Sequence, residues 1–198
     1  MGLRERKKQA TRAALSWAAV RLAVERGFDE VRVEDIAAAV DVSPRTFNNY
    51  FSSKAEAIAA RQLERARAIA DALRARPAGE PLWPSITEAV VERYALGQHD
   101  DGPDPRWVAG VRLMMGEPAL QGEVLKATAA AATELAAAVG ERTGTDARDM
   151  YPRLVAGAVL AAAQVCTDQW LHADPPVQMA PLLRAALGQL AAGLPVPR

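Results

Sequence analysis

Asparagine, threonine and arginine gathered on one short helix suit one kind of chemistry: they present paired donors and acceptors to the edges of nucleic-acid bases. Residues 43–54, Ser-Pro-Arg-Thr-Phe-Asn-Asn-Tyr-Phe-Ser-Ser-Lys, bring such side chains together. Ser43 before Pro44 reads as a helix start, a capping hydroxyl followed by a proline whose missing N–H is no loss at the first helical position. In a helix over 44–50, Phe47 and Phe51 are four residues apart and turn inward, which leaves Arg45, Thr46, Asn48, Asn49 and Tyr50 on the outer side or its flanks. Asn pairs two-fold with adenine and Arg with guanine, while Thr touches phosphate or a thymine methyl. Lys54 and Tyr50 stand where phosphate contacts are expected, and Arg45 joins the set on geometry alone. The competing reading of the same residues is a solvated surface turn over a buried aromatic pair.

The elements around this segment decide between the two readings. Leu15, Ala18, Ala19, Leu22 and Ala23 recur at helical spacing, and Gly27 supplies the left-handed residue that ends such a helix. Phe28 then closes onto the core. A second short helix runs over 33–40, with Ile36, Ala37 and Val40 inward and Glu34 and Asp35 in its first turn, where negative charge suits the helix dipole. Asp41 and Val42 make the turn into the third helix. Ser53 and Glu56 fit a capping box that opens a long fourth helix reaching Arg76. The result is a three-helix unit with a recognition helix free of bulky aliphatic residues on its outer face.

Charge supports a polyanionic partner. The formal net charge is zero, yet residues 1–76 hold fifteen Lys and Arg against ten Asp and Glu, and residues 77–198 hold nine against fourteen. A basic N-terminal part, with Arg4, Arg6, Lys7, Lys8 and Arg12 in its first twelve residues, is opposed to an acidic remainder. Pro77-Ala78-Gly79-Glu80-Pro81 breaks any helix and reads as the joint. We therefore expect a DNA-binding head at 1–55, a connecting helix at 56–76 and a helical body at 77–198. The body reads as helices at 83–98, 105–116, 118–141, 146–172 and 177–193, for about nine helices in an all-α protein rich in Ala.

The run from Gly27 to Glu56, GFDEVRVEDIAAAVDVSPRTFNNYFSSKAE, resembles the head of TetR-family transcriptional regulators. That family's pattern is a Gly-Phe closing helix one, a V-x-D-I-A second helix and a V-S-x-x-T-[LF]-x-x-[YH]-F-x-[SN]-K recognition segment. The resemblance spans roughly residues 8–60 and implies Thr46, Asn48, Asn49 and Tyr50 as recognition contacts and Lys54 as a backbone contact. There are three departures. Arg32 replaces the usual capping Thr before helix two, so a phosphate contact is kept while the cap is lost; Asp41 replaces a Gly; Asn48 stands where an aromatic is common. The operator therefore cannot be copied from a relative. The head together with a helix beginning Asp149-Met150-Tyr151-Pro152-Arg153-Leu154 is similar to an actinobacterial branch with a body that takes acyl-CoA-like ligands.

For the body, the expectation is dimerisation and ligand sensing. Leu154, Ala158, Ala161 and Val165 form one stripe, and Leu183, Leu187, Leu190 and Leu194, with Leu182 and Ala186 beside them, form another. Two such helices from each of two chains would make a four-helix bundle through 146–172 and 177–193. A dimer also follows from the need of paired heads to read a palindromic or pseudo-palindromic double-stranded DNA operator. Trp83, Tyr94, Trp107, Val111, Arg112, Met114, Met115 and Trp170 are the candidate lining of a pocket for a small hydrophobic or acyl-type inducer, Leu113 and Leu120 adding to the apolar set; simple core packing is the alternative for each. Arg106, Arg112 and Arg153 are the cations suited to an anionic ligand, with ordinary ion pairs as their other use. The family implies that such a ligand releases a repressor from DNA.

Several classes fall away. His99 and His172 lie in no helical metal-ligand spacing, although His99 with Asp100, Asp101 and Asp104 could catch a surface metal. There is no phosphate-binding glycine loop and no nucleophile elbow, so no enzyme and no cofactor is expected. Cys166, the single cysteine, sits in an apolar helix as packing. No secretory-type apolar segment or charge-free membrane span is seen, and a cytoplasmic protein is expected. A helical interaction module without specific DNA binding is the alternative function.

Overall fold

The computed structural model describes residues 2–95 and 104–196. Among them are nine helices and no strand: α1 (Leu3–Arg26), α2 (Val33–Ala38), α3 (Pro44–Asn48), α4 (Lys54–Ala75), α5 (Leu82–Ala95), α6 (Pro105–Met115), α7 (Pro118–Thr143), α8 (Met150–His172) and α9 (Met179–Ala191). His99, Asp100 and Asp101, and the break at Gly102-Pro103, lie outside the described residues. Helix α1 begins well before the apolar pattern does, because the Arg, Lys, Gln and Ala of its first turns are good helix formers with no breaker among them. Helix α8 begins later than the pattern suggests. Asp146 accepts from the Arg148 N–H at 2.8 Å and Asp149 from the Asp146 N–H at 3.2 Å, a local alternative to helix that holds 146–149 in a turn.

Packing divides the chain into two compact units, residues 1–64 with 106–128 and residues 65–105 with 129–198. This division does not coincide with a joint at 77–81: α6 and the start of α7 pack with the head. The core of the first unit joins Leu15, Ala19 and Leu22 of α1 to Ile36, Phe47, Phe51 and Ile58, and it also takes in Met114 and Leu120. Helix α6 approaches α1 through Gly110. A Cβ there would stand 2.5 Å from the Val24 carbonyl oxygen and 2.7 Å from a Val24 methyl. An alanine normally favours a helix over glycine by up to about 1 kcal/mol, but here the overlap is with backbone. We expect Gly110→Ala to lower stability by about 1–3 kcal/mol; a raised denaturation midpoint would show that this close approach is absent.

In the second unit, α5 and α8 pack on α9, with Leu183 and Leu187 wholly buried. Arg67 bonds Glu134 at 2.9 Å and Arg74 bonds Glu141 at 2.8 Å. Both partners advance by seven residues, two helical turns, so α4 and α7 run side by side in the same direction. That direction brings Arg142 to the C-terminus of α4, where its guanidinium donates to the carbonyls of Arg76, Pro77 and Glu80 and to Ser85 Oγ. A cation is favoured at the end of a helix, and here it also satisfies carbonyls of the turn that follows α4.

Glu80 closes the same turn, accepting from the Arg76 guanidinium and from Ser85 Oγ. The Arg76 hydrogen bonds, then that of Ser85, lower its carboxyl pKa from 4.5 to about 2. A carboxylate depressed on folding stabilises the folded state fully above its unfolded pKa. Its contribution is therefore lost as pH falls from 4.5 to about 2. Acid titration of wild type and Glu80→Gln should show the variant less stable at neutral pH and the gap closing across that window; a gap constant with pH would rule the linkage out.

Candidate nucleic-acid interface

The recognition segment is built by short-range bonds. Ser43 Oγ accepts from the Thr46 N–H at 3.1 Å and lies 2.9 Å from Thr46 Oγ1, capping α3 directly behind Pro44. Asp41 takes φ 55°, the left-handed conformation in which the glycine-free turn must be made, and the Val42 N–H returns to the Ala37 carbonyl. Phe47 and Phe51 are buried, their rings 5.6 Å apart at 48°. Arg45, Asn48 and Asn49 are exposed, and Thr46 and Tyr50 are half-buried beside them. A polar face is thus held rigidly from behind by two aromatic rings.

Its surroundings correct two expectations and show what a third residue, Lys54, touches within the chain. Arg32 is exposed and caps nothing with its side chain, but the start of α2 is not uncapped: Asp35 accepts from the Arg32 N–H at 2.9 Å. At α4, Ser53 Oγ accepts from the Glu56 N–H at 3.0 Å, whereas the Glu56 carboxylate passes over Ser53 to the N–H and Oγ of Ser52. Lys54 differs most. Its ammonium donates to the carbonyls of Phe28 at 2.6 Å and Val31 at 3.0 Å, approaches that of Asp29 at 3.4 Å, and lies 4.3 Å from the centre of the Phe28 ring. An ammonium has three protons, and all are directed into the loop joining α1 to α2. Lys54→Ala should therefore lower the stability of the head by about 1–2 kcal/mol and leave the salt dependence of DNA binding unchanged, read by urea denaturation beside a salt titration.

Arg12 was visible only as one of a basic cluster. The structure assigns it a place: its guanidinium donates to the Tyr50 carbonyl at 3.1 Å and lies 4.4 Å from the centre of the Phe51 ring, tying α1 to the end of the recognition segment. The first turns of α1 and the outer face of α3 also border one groove of about 750 Å³. No local sequence signal marks either relation, since the partners are about forty residues apart.

A family model described as "Bacterial regulatory proteins, tetR family" matches residues 17–60, and one described as "MftR C-terminal domain" matches residues 80–195, more than half of the chain. TcmR of Streptomyces glaucescens, an HTH-type transcriptional regulator, is 32% identical over 182 residues, 89% of this chain and 80% of that protein. The chain belongs to the TetR family of DNA-binding transcriptional regulators. MftR of Mycobacterium tuberculosis is 28% identical over 96% of this chain and 93% of its own. A crystal structure of a TetR-family protein from Syntrophomonas wolfei shares the fold with TM-score 0.64 at 18% identity, covering 96% of this chain and 100% of that one.

In this TetR-family protein the candidate ligand residues fall into two groups. Trp107, half-buried, packs on Trp17 in a tilted arrangement with centroids 5.9 Å apart; Val111 and Met114 pack into the first core; Arg112 and Met115 are exposed. Trp83, Tyr94 and Trp170 lean on the core of the second unit, with Arg65 4.2 Å from the centre of the Tyr94 ring. The Trp170 indole Nε1 is buried with no acceptor among the described residues. Cys166 lies within that core, where burial raises its thiol pKa. Among the described residues no group of three His, Cys, Asp or Glu could hold a metal.

The bundle helices also sort themselves. Leu183 and Leu187 are wholly buried in their own chain, so the α9 stripe cannot offer them to a partner; Leu182, Ala186 and Leu190 are its partly exposed edge. On α8, Val155, Val159, Ala163 and Cys166 face the core, while Leu154 is 62% and Val165 56% exposed. Apolar residues on both faces give α8 a mean hydropathy of 1.3 over an 18-residue window, enough by length and composition to cross a membrane, with 44% of that window buried in the fold.

Proposed function

We propose that this protein is a dimeric, sequence-specific, cytoplasmic repressor that reads a two-fold symmetric operator and leaves it when its body takes up a small hydrophobic or acyl-type ligand. The observation that carries this reading is the capped helix α3, buried by Phe47 and presenting Arg45, Thr46, Asn48 and Asn49 outward, with Tyr50 at its end. Arg45 suits guanine and the asparagines adenine, and exposed Arg32 adds a cation for phosphate. Dimerisation is supported by the exposed apolar face of α8, with Leu154, Ala158, Ala161 and Val165 at helical spacing and small residues that permit close approach.

Ligand sensing is supported by Trp83, Tyr94 and Trp170, each partly buried against the core of the second unit, and by the buried Trp170 indole N–H, which has no acceptor among the described residues. An acyl-type molecule would bury its chain on these rings and offer an oxygen to that N–H. Trp107, Val111, Arg112, Met114 and Met115, which belong to the same compact unit as the head, are proposed to take part through α6. The test is a gel shift on a duplex recovered by selection from a randomised library, repeated with fatty acids and acyl thioesters of several lengths. Preference for the selected duplex over a scrambled one, weakened by one ligand class, is the expected result; equal affinity for both duplexes at physiological salt would defeat the reading. Leu154→Arg should meanwhile yield a monomer in sedimentation, with operator affinity reduced.

A further inference from the structure

The inward face of α1 does not stop where the core stops. Leu22, Ala19, Ala18 and Leu15 recur three and four residues apart and are buried. Continued toward the N-terminus at the same spacing, that face carries half-buried Thr11 and then exposed Lys8, Lys7 and Arg4. Apolar residues thus give way to cations at the point where the helix runs past its own core. A helix that merely needs solubility spreads charge over its solvent side; here three cations lie on the face that elsewhere meets protein.

What they overhang is the recognition segment. Arg4, Lys7 and Lys8 border the same groove as Thr46, Asn49 and Tyr50, with Glu5 as the one acid at its edge. Arg12, one turn further on, bonds the Tyr50 carbonyl and so fixes α1 against the end of that segment. None of Arg4, Lys7 or Lys8 is engaged in an ion pair among the described residues. Three uncompensated cations beside a base-reading face are suited to the phosphodiester backbone of the same duplex.

The geometry points to the first two turns of α1 as a second DNA-binding element, in which Arg4, Lys7 and Lys8 bind backbone phosphates next to the bases read by α3. This rests on the operator-binding reading above. The cations carry no base-specific contacts, so they contribute affinity and register while discrimination stays with α3. Counterion release gives the signature: each phosphate neutralised adds about 0.9 to the slope of log affinity against log salt.

The experiment is a salt titration on the selected duplex and on a scrambled duplex of the same length, using the full chain. Arg4, Lys7 and Lys8 are changed together to glutamine, a good helix former, and Arg6→Gln, outside the groove lining, is the control. With two copies on the operator, six such cations are lost, so the triple variant should flatten the slope by about 5 and a fourfold rise in salt should cost it on the order of 1000-fold less affinity than it costs wild type. Its ratio of selected to scrambled affinity should be unchanged, and its helicity and melting midpoint should match wild type. An unaltered slope in a protein that still prefers the selected duplex overturns this inference alone, as does equal flattening by Arg6→Gln. Loss of that preference in the triple variant assigns these residues to base reading and overturns it as well. A wild-type protein without preference overturns it together with the operator reading.

Discussion

Phe47→Ala should abolish operator binding and unfold the head first. Phe47 is 0% exposed and Phe51 only 2%, and α3 spans just five residues, Pro44–Asn48. A helix so short has almost no stability of its own, so its orientation depends on tertiary packing. Removing a buried phenyl ring costs about 3–5 kcal/mol, against the roughly 5–15 kcal/mol by which domains are folded. Denaturation followed by far-ultraviolet dichroism should show a large drop in midpoint, and a gel shift should show no specific complex. Phe47→Leu, which keeps most of the volume, should recover much of both. Specific binding retained by the alanine variant at an unchanged midpoint would mean that the recognition segment is not held from behind by this ring.

Arg142→Ala is the second large effect expected, and it lies far from the DNA-reading face. The guanidinium donates to Pro77 O at 2.7 Å, Glu80 O and Ser85 Oγ at 2.8 Å and Arg76 O at 3.3 Å. Ser85 is fully buried, and the side chain of Arg142 is half-buried at the end of α7. Its removal leaves carbonyls and a buried hydroxyl without their donor, while the turn from α4 to α5 loses its tie to α7. Hydrogen bonds from a charged donor are worth about 1.5–3 kcal/mol each, but water reaches the outer carbonyls, so a net loss of about 2–4 kcal/mol is expected. Arg142→Lys should recover a minor part, because an ammonium cannot span the same fork of acceptors. A melting midpoint within experimental scatter of wild type for Arg142→Ala would show that these bonds merely replace equivalent ones to water.

Where the physics is local, residue order was sufficient. Ser43 before Pro44, the four-residue spacing of Phe47 and Phe51, Gly27 at a helix end and Asp41 in a left-handed turn all appear in the structure as read, because caps, periodicity and left-handed turns depend on neighbours a few residues away. The same local logic explains a near miss. Glu56 caps from within α4 as a capping box requires, yet its carboxylate takes the Ser52 N–H, a shift of one residue that the spacing does not distinguish.

Lys54, Arg12 and the two stripes of the body illustrate the opposite case. A lysine at the start of α4 reads as a phosphate contact from its motif, and only the fold shows the carbonyls of Phe28 and Val31 at its ammonium. The stripes of α8 and α9 are alike in period and composition, but Leu183 and Leu187 end inside their own chain and Leu154 and Val165 outside it. Periodicity says that a face is apolar and is silent on what covers it. The division into packing units is similarly non-local: α6 carries Met114 into the core of the head through a close approach at Gly110.

By itself, then, the sequence determined an all-helical chain with a capped, polar-faced recognition helix in a basic N-terminal part, because each of those properties is written in residues within a few turns of one another. The tertiary structure alone decided which of these cations are engaged by the chain itself. Lys54 is engaged by a loop more than twenty residues away, whereas Arg4, Lys7 and Lys8 stand over the recognition face without an ion pair among the described residues, and charge availability depends on distance in space rather than in sequence.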